Sequence, residues 1–385
     1  MTLPTSLRRV AQTILLFWLT ACVAGQAAPA AGQSAPAGQA AATTKPAEGA
    51  EKTAGEQFKN IQVLKEIKAT ELIPAMRFMA GSLGVNCDFC HVNPWDKDEK
   101  KEKTTARKMI QMVKAINDAN FDGKLQVTCA TCHHGSNDPV SVPQMDQLVY
   151  NKPPQPPRPA PGSMPSADDV IAKYIAAVGG QAAADAVKTR VVKAGVTVKN
   201  AGPGLNYQAE FVQDGPDKFL SVEQRQQGAL TRAMDGNNGW MQGPRGVRDL
   251  ETVQLSELAD DAAAFRTIQL GVYTAKQVFN KDTLNGHEVY VMMARTKGGR
   301  ERLFFDTQSG LLLRRIIYTP TVLGMSPFQT DYNDYRDVGA VKVPFDVTYW
   351  YLLESQQLKY TSVQDNVTVD PARFTKPAAA AAPGQ

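Results

Sequence analysis

Cys87-Asp88-Phe89-Cys90-His91 and Cys129-Ala130-Thr131-Cys132-His133 are one pattern written twice. Each is C-x-x-C-H, the spacing that lets two thiols add to the vinyl groups of a haem while the next imidazole reaches the iron from the same side. Zinc ribbons pair such units over a shorter gap and rarely need a histidine after both. A redox dithiol is not expected twice in helical surroundings without a thioredoxin-like pattern. The motifs therefore predict two covalently attached c-type haems, with Cys87, Cys90, Cys129 and Cys132 as thioether cysteines and His91 and His133 as proximal iron ligands.

A helical pattern precedes each motif. Leu72, Met76, Ala80 and Leu83 form one stripe, with Met79 beside it, ending near Gly84. After Thr104-Thr105, Met109, Met112, Val113 and Ile116 recur at helical spacing. An electron-transfer haem needs its second axial position filled, and a methionine thioether fills it while raising the potential. Only His134 and His287 remain as further histidines, which argues against bis-histidine ligation. Two matched methionine helices also argue against a di-haem peroxidase, which needs an open iron. Spacing alone leaves Met76 or Met79, and Met109 or Met112, equally eligible, since Met also serves as plain core filler. Asp96–Lys103 alternates in charge and reads as a solvated loop.

The runs Asn60–Lys65 and Glu71–Met76 before the first motif, and Ala106–Met112, Ala115–Asn117 and Val127–Cys129 around the second, resemble the photosynthetic reaction-centre cytochrome c subunit family over about residues 57–150. The resemblance implies that the first methionine of each helix is the sixth ligand: Met76 for one haem, Met109 for the other. Two departures stand out. The family's full subunit carries four haems, and this chain has only the first two motifs. His134 stands where the family writes arginine.

Across 385 residues the formal net charge is +4, too mild to argue for nucleic acid. Of five cysteines, four lie in the motifs and the fifth is Cys22. Arg8 and Arg9 followed by the apolar run Val10–Leu19 read as a signal peptide over 1–21, closed by Leu19-Thr20-Ala21-Cys22. That ending resembles a bacterial lipobox and predicts lipidation of Cys22, hence a periplasmic, membrane-anchored protein. Residues 22–56 are Ala-, Gly-, Gln- and Pro-rich, without enough apolar surface to fold. As a flexible tether they would span about 30 Å.

The proline-rich run 151–165 reads as a spacer holding two domains apart. Beyond it, Ser166 with Asp169 forms a helix start, Val170, Ile171, Tyr174, Ile175 and Val178 an apolar stripe, and Gly179-Gly180 a stop. Period-two runs follow at 190–198, 207–211, 219–224, 289–293, 302–305, 311–318 and 347–352, with a helical insertion around 257–265. His287 lies in a hairpin context with no evident partner. The Gly-Gly-terminated helix, Phe304-Phe305-Asp306, Gly310-Leu311-Leu312 and Asp331–Arg336 resemble the outer-membrane lipoprotein-sorting carrier family. That likeness implies a curved, incomplete β-barrel and a hydrophobic ligand as one partner; the alternative is an ordinary filled core.

The chain is therefore expected to be multidomain. A mainly α di-haem cytochrome c domain (57–150) precedes an α+β domain with a large curved antiparallel sheet (166–375) and a disordered tail (376–385). The expected activity is electron transfer rather than enzymatic catalysis, with a redox partner protein or membrane electron-transfer complex. The alternative is a hydrophobic-ligand or lipoprotein carrier whose haem domain senses redox state or docks partners.

Overall fold

The computed structural model describes residues 51–139, 141–142, 160, 162–199, 205–244, 246–264, 273–296, 299–351 and 354–378. The signal peptide, Cys22, most of the tether, most of the proline-rich spacer and most of the tail lie outside them. Folded chain begins earlier than the expected tether end at residue 56. Thr53 and Glu56 cap each other reciprocally at the start of α1 (Ala54–Gln57). Ala54, fully buried, donates its N–H to the Ile67 carbonyl at 2.7 Å.

Three further helices complete the first unit: α2 (Ala69–Leu83), α3 (Lys101–Asn120) and α4 (Cys129–His133). The second starts four residues before the expected Thr104-Thr105 boundary. On α2 the buried residues are Ala69, Leu72, Ala75, Phe78 and Ser82, so the stripe is rotated from the expected one. Met76, Ala80 and Leu83 are half-buried on its flank. The rotation follows from what covers the helix: Leu72, Ala75 and Phe78 meet Cys129 of α4 and Ile110 of α3 in one core.

After α5 (Ala167–Ala177) and α6 (Gln181–Ala186) the chain forms an antiparallel sheet, with thirteen strands among the described residues. These are β1 (Thr189–Lys199), β2 (Asn206–Asp214), β3 (Lys218–Arg225), β4 (Gly228–Asp235), β5 (Asn238–Gly243), β6 (Gly246–Asp249), β7 (Ala275–Leu284), β8 (His287–Thr296), β9 (Gly299–Asp306), β10 (Leu312–Thr321), β11 (Gly324–Val338), β12 (Val341–Tyr351) and β13 (Glu354–Asp365). Their order runs from β6 down to β1, then from β13 down to β7. The last strand thus pairs with the first, and β6 and β7 are open edges. Between those edges runs α7 (Thr252–Ala264), the expected helical insertion.

Ser166 caps α5 by accepting the Asp169 N–H at 3.0 Å. Its buried residues Val170, Ile171 and Tyr174 lie on the sheet, where the Tyr174 ring meets Phe305 edge-on at 5.6 Å. Leu258 and Ala262 of α7 enter the same core, with Phe219, Met292, Leu303 and Leu358. Each of the large apolar side chains among them contributes about 1.5–3 kcal/mol. The inner face is therefore packed with side chains. The apolar runs all became strands, whereas β4, β5, β6, β7, β11 and β13 were not marked by alternation. In β11 and β13 the reason is visible: inward positions hold Thr330 and Gln356 beside the apolar ones.

The proline-rich spacer does not keep the first unit off the sheet. Leu323, in the β10–β11 turn, is buried in the α2 core. The Phe78 ring lies against Gly324 so closely that a Cβ there would overlap it. Arg77 pairs with Glu257 of α7 at 3.0 Å and lies over the Tyr351 ring at 5.2 Å.

Candidate functional site

Both C-x-x-C-H motifs lie on short helical turns that start from extended residues. The first is a 3-10 turn, Cys87–Phe89, with the His91 N–H donating to the Cys87 carbonyl at 3.0 Å. The second is α4, whose N-cap Thr128 and Thr131 bond each other. One helical turn brings the second cysteine and the histidine round to the side of the first. All four thiols are free. Burial pushes the Cys90 and Cys129 thiols up, so both are protonated at neutral pH.

The two imidazoles are held alike. His91 Nδ1 is 3.1 Å from the Trp95 carbonyl oxygen, and His133 Nδ1 is 2.9 Å from that of Ser136. A carbonyl only accepts, so Nδ1 carries a proton in each ring and Nε2 is the nitrogen left for a further partner. Burial first, with the Lys103, Arg107 and Lys100 cations adding to it, holds the His91 imidazole below its ordinary range and favours the neutral ring. Paired thiols followed by an imidazole whose Nδ1 is tied to a carbonyl, with Nε2 turned away from it, are the donor set that attached haem requires.

What surrounds each motif differs. Around the first, Asp98 accepts both terminal nitrogens of Arg107 at 2.8 Å, Asn60 Nδ2 at 2.9 Å, and Lys103 at 3.2 Å. Lys103 also donates to the Trp95 carbonyl at 2.8 Å, the same oxygen that holds His91. The Arg107 pairing leads the causes that hold the Asp98 carboxyl well below the usual carboxylate range. The stretch expected to be a solvated loop is thus an ionic clamp, with Lys103 and Arg107 only 11% and 13% exposed. A cleft of about 760 Å³ between Val85–Phe89 and Glu99–Glu102 adjoins this motif, but no cysteine or histidine lines it.

Around the second motif the clamp is neutral. Asn117, 3% exposed on the inner stripe of α3, accepts from Gln126 N at 3.0 Å and Val127 N at 2.9 Å. Its amide donates to the Val113 and Val127 carbonyls. The segment entering Cys129 is thereby fixed. From the other side Gly135 N donates to the Ser82 carbonyl at 2.8 Å, and a side chain on left-handed Gly84 would overlap the Gly135 carbonyl.

Met76 and Met79 are half-buried on α2; Met109 and Met112 are 37% and 44% exposed on α3. Trp95 is 59% exposed, its ring 5.9 Å from that of His91. Sequence reading missed Asn117, Asp98, Lys103 and Arg107 as groups that position the motifs. The signal for Asn117 was a polar residue on the stripe Ile110, Val113, Asn117. His287, read as partnerless, does have a partner: Nδ1 is 2.9 Å from buried Asp306.

Residues 24–158 match the family model of the photosynthetic reaction centre cytochrome c subunit. Cytochrome c-554 of Chloroflexus aurantiacus is 34% identical over 85 residues, 20% of each chain. The photosynthetic reaction center cytochrome c subunit of Thermochromatium tepidum is 35% identical over 94 residues, 22% of each. The chain thus spans about a fifth of the length of these curated relatives. Among solved structures, a LolA superfamily protein from Nitrosomonas europaea is 13% identical with a TM-score of 0.40, covering 55% of this chain and 99% of that one. A DUF1329 family protein from Desulfovibrio piger gives 11% and 0.42, covering 54% and 96%.

Proposed function

We propose that this chain is an extracytoplasmic electron carrier with two covalently attached haems, tethered to a membrane through lipidated Cys22. The observation that carries the reading is the matched pair of histidines, each with Nδ1 on a backbone carbonyl and Nε2 free. The likeness of residues 24–158 to cytochrome c subunits supports it. Attached haem supplies one-electron redox chemistry at each motif. Cys87 and Cys90, and Cys129 and Cys132, provide the thioether sulfurs, and His91 and His133 offer Nε2 to iron. Met76 on α2 and Met109 on α3 would each hold a haem iron through their thioether sulfur, which would suit a carrier rather than a catalyst.

The redox partner is a protein or a membrane electron-transfer complex. In the domain division 57–150 and 166–375, the packed inner face of the sheet supports a structural and docking role over carriage of a hydrophobic ligand. A pyridine haemochrome assay, on protein made alongside haem-attachment machinery, is expected to return two haems per chain; zero or one overturns the reading. Met109→Ala is expected to open the second haem to carbon monoxide. If only Met112→Ala does so, the ligand is Met112.

A further inference from the structure

The outer face of the sheet carries an unneutralised cluster of arginines. On β8 and β9 the residues Ala294, Glu301 and Leu303 point into the buried face, so Arg295, Arg300 and Arg302 point outward by strand alternation, and all three are exposed. Register sets Arg295 directly opposite Arg300, and Arg302 opposite Met293. On the other side Arg300 faces Tyr318 and Arg302 faces Ile316. Arg300 and Arg302 are about 7 Å apart along their strand, and neighbouring strands lie about 5 Å apart. Like charges directly opposed on a sheet are destabilising. Among the described residues none of the three guanidiniums has an ion-pair or hydrogen-bond partner. Asp331, on β11 one strand beyond β10, is committed to Arg314, Gln329 and the Trp350 indole N–H.

We propose that this face docks on an anionic lipid surface, the guanidiniums engaging headgroup phosphates. Guanidinium is a planar fork matched to phosphate oxygens. Lipid phosphates diffuse laterally and can gather under three closely spaced charges. A folded acidic protein would instead have to hold three carboxylates equally close and bear their repulsion itself. Tyr318, opposite Arg300 on the patch, is an amphipathic ring of the kind that favours a membrane–water boundary. The patch also lies at the end of β10 whose turn buries Leu323 against α2. Such docking deepens the membrane reading but requires neither haem nor anchor.

The test uses the full chain carrying Cys22→Ser, so that no acyl group contributes. It is titrated with vesicles of phosphatidylglycerol mixed into phosphatidylcholine, and with pure phosphatidylcholine. Binding is expected to the anionic vesicles alone and to weaken as salt rises. The triple variant Arg295→Gln, Arg300→Gln, Arg302→Gln is expected to bind roughly a hundredfold more weakly. It should melt no lower than the parent, since a repulsion is removed. No binding by the parent, or equal binding by the variant, overturns the proposal. Retention on polyglutamate without vesicle binding overturns the lipid assignment in favour of an acidic protein. Haem count and Cys22 acylation are unaffected by any of these results, so the electron-carrier reading stands or falls separately.

Discussion

The two C-x-x-C-H motifs present the same donor atoms but are held by different physics. His91 is fixed through a loop clamped by charge: Asp98 gathers Arg107, Lys103 and Asn60, and Lys103 shares the carbonyl that His91 uses. His133 ends a helix whose first cysteine is buried and whose entry is fixed by the neutral amide of Asn117. A charged clamp at the surface responds to pH and salt; a buried amide responds to packing. One repeated motif therefore sits in two environments that different perturbations should separate.

The largest expected effect is at the core behind the second motif. Phe78→Ala removes a ring that packs Cys129, Leu72 and Leu323 together, and should lower stability by about 3–5 kcal/mol. Limited proteolysis should show the second motif opening before the first; the opposite order would break the comparison. Asn117→Ala comes next, at about 2–3 kcal/mol, because the Gln126 and Val127 N–H groups lose their acceptor in a part-buried place. Thermal melting measures it, and Asn117→Asp, which keeps the acceptor, should recover part of the loss.

The smallest effect at neutral pH belongs to Asp98→Asn. Because the Asp98 carboxyl is depressed in the folded chain, its stabilisation is fully present above the unfolded carboxylate pKa of about 3.9 and is lost as pH falls through the lower folded value. An acid titration followed by Trp95 fluorescence should show that loss in the parent and not in the variant. If Asn117→Ala changed the acid transition instead, the assignment of charge to one motif and neutral bonding to the other would be wrong.

Legibility in the sequence followed the range of the interaction. The motifs, the Ser166-capped helix, its Gly-Gly stop and seven of the strands are local patterns, and all were readable. The α2 stripe was read with a rotation: Leu72 is buried as expected, while Met76, Ala80 and Leu83 lie on the flank. Periodicity says that some face is buried, while Phe78 was chosen by Gly324, which lies 246 positions along the chain from it. The polar stretches of β11 and β13 became strands only because neighbours with complementary hydrogen-bonding edges stood ready on both sides.

By itself the sequence determined the chemistry available: thiol pairs at haem-attachment spacing, an imidazole after each, and methionines on amphipathic helices. Only the tertiary structure decided which imidazole nitrogen is free, what clamps each motif, and that the motif unit rests on the sheet. The imidazole and most clamp contacts join residues within ten positions but depend on a loop conformation that periodicity does not record. The seat on the sheet depends instead on groups far along the chain.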